Sequence, residues 1–277
     1  MGIICTLLQW FFGLCLLASL LSCAIAWYES ANLDPSLMES RFRPGKLLRA
    51  LWLIISEAVA MFVTLLLHPL GWLPTGQNRQ RRTERPPVLL LHGLFHNRAC
   101  WWWLQLRLRL AGWRDIYSLN LSAWHDIEIL TEMIAKKVDS LRLEAGADQV
   151  ILIGHSMGAV LARNYIQRRG GSSRVALAVL LGAPNRGSRL APFAVSPLAR
   201  HLLPESEFMR GLSEAAMPEG VRMVNIISAQ DNMVLPWSLG RLEGCEEHIL
   251  DWIGHNSLLY HPRALRPLFV ALKDFAR

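Results

Sequence analysis

A chain of 277 residues has room for one large domain and an additional segment. Hydrophobic residues make up 52% and charged residues only 18%, and the formal net charge is +7. No basic run is interleaved with aromatics and no nucleic-acid motif is present, so an anionic membrane surface suits this charge and a nucleic acid does not. The five cysteines contain no C-x-x-C pair and no Cys/His cluster, so neither a metal nor any other cofactor is expected. Cys5, Cys15 and Cys23 read as small hydrophobes, while Cys100 and Cys245 are far enough apart that pairing stays open.

In chain order, residues 1–73 read as a membrane-anchoring segment. Ile3 to Trp27 is an uncharged apolar run long enough to cross a bilayer. A signal peptide is the rival reading, but no Lys or Arg precedes the run. Leu51 to Leu73 is a second apolar run, favoured as a second transmembrane helix over an interfacial or buried one. It contains Glu57 and His68, and a carboxylate inside a span costs on the order of a few kcal/mol. Arginine and lysine flank both ends of this run about equally, so the side of the membrane that carries the rest of the chain is not set. Residues 74–86, polar, basic and turn-rich, read as a linker.

From residue 87 to 277 the pattern is that of an α/β domain. Pro87–Leu91 reads as a central strand, Asn97–Leu110 as a helix, Asp115–Leu121 as a strand and Asp126–Glu144 as a capped helix with apolar residues at helical spacing. Val150–Ile153 is a strand and Ala159–Arg169 a helix. Val175–Leu181, Val221–Ser228 and Glu247–Leu250 are further strands, and Pro262–Phe275 is a closing helix. Strands alternating with helices predict a mostly parallel sheet covered on both faces. Residues 185–219 show no strand and four prolines, which suits a short lid or, alternatively, an ordinary surface excursion.

The organising motif is Gly154-His-Ser-Met-Gly158 between a strand and a helix. This order makes a nucleophile elbow, with Ser156 at the tip and glycines where side chains would collide with the neighbouring strand and helix. A serine needs a base, an orienter for the base and donors for an oxyanion. Asp231, in the loop after the strand Val221–Ser228, is the favoured acid, with Asp251 as the fallback. His255, in the last loop before the closing helix, is the favoured base over His248 and His261. The backbone N–H groups of Leu94 and Met157 are the expected oxyanion donors. His92 reads as structural. Trp101 to Trp103 read as core packing rather than an acyl pocket.

Four stretches carry a family resemblance: Val88-Leu-Leu-Leu-His-Gly-Leu94, Ile153-Gly-His-Ser-Met-Gly158, Leu181-Gly-Ala-Pro-Asn-Arg-Gly-Ser188 and Gly254-His-Asn-Ser-Leu-Leu259. Through them the chain from residue 87 onward resembles the α/β-hydrolase fold of the bacterial triacylglycerol lipase and esterase group, and is similar to the GPI inositol-deacylase-like lipases. The resemblance implies a carboxylic ester hydrolase using Ser156, Asp231 and His255, with a lipid or ester substrate and no protein partner. The apolar runs, on which the resemblance is silent, predict an integral protein, expected in a bacterial inner membrane. Two positions depart from the pattern. Asn185 stands where the lipases have a histidine, and Ser257 stands where many secreted lipases place a calcium-binding aspartate, so a calcium site is not expected. An acyltransferase using the same triad and a non-catalytic binding module of the same fold are the alternative readings.

Overall fold

The computed structural model describes residues 2–36, 43–73 and 85–275. Six strands form one parallel sheet in the order β2-β1-β3-β4-β5-β6: β1 Val88–Leu91, β2 Ile116–Leu119, β3 Val150–His155, β4 Val175–Leu181, β5 Arg222–Ser228 and β6 Glu246–Leu250. The four central strands are apolar along nearly their whole length because both faces of the sheet are covered, and side chains of opposite pleat feed two separate cores. On one face Leu89, Leu91, Val150, Leu152, Ala178 and Leu180 meet the helices that follow β2 and β3. On the other, Val88, Leu90, Ile151, Ile153, Val179 and Ile226 meet helices from the 102–110 and 262–272 stretches. The edge strand β6 is less buried and carries Glu246 and Glu247, charges that suit an edge facing water.

Seven helices accompany the sheet among the described residues. α1 is Gly2–Leu33, α2 Pro44–Leu67, α3 Trp102–Leu110, α4 Ile127–Ala145, α5 Met157–Arg168, α6 Glu207–Glu214 and α7 Pro262–Leu272. The sequence signals account for several boundaries. Asp126 caps α4 by accepting the Glu128 N–H at 2.8 Å, and Gly146 closes it in the left-handed conformation. The stretch predicted as one helix from Asn97 is a 3-10 turn, Arg98–Trp101, capped by Asn97, followed by α3. Trp101 is fully buried in the core, as expected, whereas Trp102 is exposed on the surface. The stretch 185–219 contains the 3-10 turns Ala191–Phe193 and Pro197–Leu202, then α6, whose Phe208, Met209 and Leu212 are buried. All five cysteines are free.

The two apolar runs are both helical. α2 begins at Pro44, earlier than the predicted start at residue 51, because proline fits the first helical turn. A 3-10 turn, His68–Trp72, follows it. Much of the predicted linker, 74–84, lies outside the described residues. Each helix is long and apolar enough to cross a membrane, by length and composition alone. They form an antiparallel hairpin. Phe62 packs on Phe11 and Phe12 with ring centroids 5.2 and 5.5 Å apart, and Ser19 Oγ donates to the Ile54 carbonyl at 2.8 Å.

This hairpin lies lengthwise on the α/β domain. The buried residues Leu53, Glu57, Ala60 and Thr64 form one stripe of α2 at helical spacing. Thr64 Oγ1 meets Tyr260 Oη at 2.6 Å. Asn97 and Asn120 donate to the carbonyls of His68 and Gly71 at 2.7 and 2.9 Å. Near the other end, Asn232 Nδ2 donates to Ser22 Oγ at 2.7 Å, and Arg189 pairs with Glu29 at 3.0 Å. Residue 73 therefore marks a change of composition and not the edge of a packing unit.

Candidate active site

β3 lies between β1 and β4 and ends in the tight turn that leads into α5. Ser156 sits at this turn with φ +54°, a left-handed value unusual for a non-glycine residue and typical of strained functional turns. The two glycines are required by close approach. A Cβ on Gly154 would lie 2.5 Å from the Ala159 Cα, and one on Gly158 would overlap the Leu91 carbonyl of β1. Ser156 N–H donates to the Leu181 carbonyl at 2.8 Å, which ties the turn to β4.

Met157 opens α5, where a backbone N–H has no partner within the helix. Leu94 lies in the turn after β1. The neighbouring Gly93 is so close to the serine that a Cβ there would be 3.0 Å from Ser156 Cβ. His92 holds this turn in place. Its Nε2 accepts the Leu121 N–H at 2.8 Å, so its Nδ1 carries the proton and donates to the Gly93 carbonyl at 2.8 Å. Burial pushes the His92 imidazole down to about 4, consistent with the neutral, structural role read from sequence.

The favoured acid and base meet. His255 Nδ1 lies 2.8 Å from Asp231 Oδ2, and both side chains are buried. Asp231 Oδ1 accepts the N–H groups of Met233 and Val234, each at 2.8 Å, so the carboxylate is fixed by its own loop. The His255 N–H donates to Asn232 Oδ1 at 2.9 Å. Burial opposes protonation of His255, but the adjacent Asp231 carboxylate, as charge and as acceptor, and the Glu57 charge raise its pKa above the ordinary imidazole value.

His155, the residue before the serine, connects the turn to the base. Its ring lies 4.7 Å from that of His255 and stacks on His96 at 5.9 Å, and its Nε2 donates to the His255 carbonyl at 3.1 Å. Burial, reinforced by the neighbouring imidazoles, holds His155 well below its ordinary pKa and His96 at about 3. Around His255 stand neutral rings, one hydrogen-bonded carboxylate and a second carboxylate from α2.

The alternatives fall elsewhere. Asp251 is exposed, His248 pairs with Glu246 on the β6 edge at 2.9 Å, and His261 caps α7. Asn185, which departs from the lipase pattern, is fully buried. It accepts from Arg163 and donates to Asn225 Oδ1 and the Gly240 carbonyl at 3.0 and 2.7 Å. It knots β4 to β5 and the loop beyond. Glu57 is the residue that sequence reasoning missed. In the sequence it stands only as a costly charge in an apolar run, which is itself the signal. Its Oε1 accepts the backbone N–H and Nδ2 of Asn256, both at 2.8 Å, and its Oε2 accepts the N–H and Oγ of Ser257, both at 2.9 Å. Among the described residues no cluster of three metal-ligating side chains occurs.

Residues 88–240 match the model of the alpha/beta hydrolase family. The chain is 33% identical over 112 residues to a triacylglycerol lipase of Pseudomonas fragi, a match covering 39% of this chain and 37% of that protein. It is 25% identical over 183 residues to a probable alcohol acetyltransferase of Saccharomyces cerevisiae, covering 63% and 45%. These matches thus span less than half of either relative. Among solved structures, the mature lipase BlEst2 of Bacillus licheniformis superposes with a TM-score of 0.61 at 16% identity, over 73% of this chain and 98% of that one.

Proposed function

The chain belongs to the α/β hydrolase family, and we propose that it is a serine hydrolase of carboxylic esters, acting on acyl esters of lipids at a membrane to which its apolar hairpin holds it. One observation carries the chemistry: a buried imidazole 2.8 Å from a buried carboxylate, with its ring 4.7 Å from that of His155, the residue before the serine of a strained strand-to-helix turn.

In this reading Ser156 Oγ attacks the ester carbonyl carbon and His255 Nε2 takes its proton. Asp231 keeps Nδ1–H donating to it and stabilises the imidazolium. The Leu94 and Met157 N–H groups bind the oxyanion of the tetrahedral intermediate. The intermediate collapses, the alcohol leaves with the proton from His255, and water attacks the acyl-enzyme with His255 again as base.

Acyl chains as substrate are supported by the loops that leave the carboxyl ends of the strands, where sites form in parallel sheets. They expose Phe95 after β1, Trp124 after β2, Phe193 and Val195 after β4 and Met233 after β5. The stretch 185–219, which carries Phe193 and Val195, serves as the lid. The outward faces of α1 and α2 expose Trp10, Leu14, Leu17, Leu21, Trp52 and Ile55, an apolar surface suited to lipid. The relatives named as triacylglycerol lipases agree with this substrate class.

The test is turnover of p-nitrophenyl butyrate and palmitate by the detergent-solubilised chain and by Ser156→Ala. A rate retained in Ser156→Ala defeats the reading, as does a wild type that neither turns over an ester nor reacts with a fluorophosphonate. The likeness to an acetyltransferase favours a second reading, transfer of the acyl group to an alcohol. With an alcohol supplied, a new ester instead of free acid would identify it.

A further inference from the structure

We propose that Glu57 is a positioning residue for the reaction: its carboxylate, carried on the apolar helix α2, fixes the loop from Gly254 to Ser257 and so holds the His255 imidazole in place between Asp231 and Ser156. The inference rests on the triad reading above.

The loop is held by side chains from distant segments. After β6 the chain leaves the sheet and turns through residues 251–255 into the short 3-10 turn Asn256–Leu259. Its backbone is pinned at successive groups. The His255 N–H is held by Asn232, the His255 carbonyl by His155, and the next two N–H groups by Glu57. Two side-chain donors, Asn256 Nδ2 and Ser257 Oγ, complete the carboxylate's shell. Glu57 is fully buried, and a Cβ at Gly254 would overlap its carboxylate, so the two segments are fitted to each other. Anchoring alone requires no carboxylate at this position. A leucine would serve a helix in lipid better, since a buried charge is tolerated only where its hydrogen bonds are complete.

The carboxylate acts on His255 in two ways, by fixing the backbone that follows it and by its negative charge. The other groups facing the imidazole are Asp231 from the β5 loop, His155 and His96, with the Cys23 thiol of α1 close to both carboxylates.

The experiment uses the full detergent-solubilised chain, with ester turnover measured against pH for wild type, Glu57→Gln, Glu57→Asp and Ser156→Ala. In Glu57→Gln the expected change is a fall in kcat of about tenfold or more with KM little altered. The acid limb of the pH profile moves to lower pH, because a negative charge beside the base is gone. In Glu57→Asp kcat falls but the acid limb stays, because the charge is kept and only the reach is shortened. A merely structural role would lower the melting temperature and leave the acid limb of the folded fraction unmoved. Wild-type kcat and an unmoved acid limb in Glu57→Gln overturn the inference. Full activity in Ser156→Ala overturns instead the triad reading beneath it. If Glu57→Gln does not fold, Ser257→Ala, which removes one donor and keeps the carboxylate, decides. A several-fold loss in kcat at unchanged KM supports the clamp, and wild-type kcat overturns it.

Discussion

The proposed nucleophile, Ser156, and the proposed base, His255, stand at the same end of the sheet but are held by different means. The serine turn is built from neighbours in sequence. β3, two glycines and α5 all lie within residues 150–168, and sterics with β1 together with a hydrogen bond to β4 fix the turn. The base loop has no such local frame. Its backbone is fixed by Asn232 from 23 residues away, by His155 from 100 and by Glu57 from 199. A site of this kind is as precise as its most distant support.

Perturbing the two halves should therefore give different signatures. The largest effect is at the serine itself. Ser156→Ala is expected to lower kcat by about 10⁴-fold or more with the melting temperature near that of wild type, read by ester turnover and thermal unfolding. Retained stability there would confirm that the turn's fold does not depend on its hydroxyl. Next, Gly158→Ala places a methyl group against the β1 backbone and should destabilise the protein by about 3 kcal/mol, seen as a lower midpoint in denaturant. A neutral outcome would mean that the turn is less constrained than the contacts with β1 imply.

On the base side, Asn232→Ala leaves the His255 N–H without its acceptor and removes the donor that Ser22 Oγ accepts from. A loss of about 1–3 kcal/mol in stability is expected, with kcat falling more than KM changes. The pH profile sharpens the contrast further. The base must be neutral to accept a proton, and its pKa is raised by Asp231 against the effect of burial. Activity should therefore fall as pH drops through a value above the ordinary imidazole pKa of about 6.5. An acid limb below that value would mean that burial prevails. The smallest effect is from a chelator. Ser257 donates to a carboxylate whose two oxygens already accept two hydrogen bonds each, so EDTA should leave turnover unchanged. Loss of activity restored by calcium would show instead that this loop is held by a metal.

The same contrast explains what was legible in the sequence. The strand Val175–Leu181 agrees to the residue, and the strand, turn and helix around Ser156 were readable because each is specified by adjacent residues. Asp231 and His255 were readable from their order after the serine and from their places in loops after strands, and they lie within hydrogen-bonding distance. Glu57 was visible as an anomaly, but its partners were not, because no periodicity connects residue 57 with residue 256. The start of α2 at Pro44 was carried by a local signal that the hydropathy of the run obscured. The role of Asn185 is likewise tertiary, since it joins Arg163, Asn225 and Gly240.

The distance in sequence between Glu57 and its donors also has a consequence for the order of synthesis. A chain made from its amino end presents this carboxylate 199 residues before Asn256 exists. During that interval α1 and α2 can pair, but the charged side chain has none of its eventual donors. The loop that satisfies it emerges long after, and it is the same loop that brings His255. The nascent protein thus stays without His255 while its apolar helices are already present, and the step that completes the carboxylate's shell also brings His255 to Asp231.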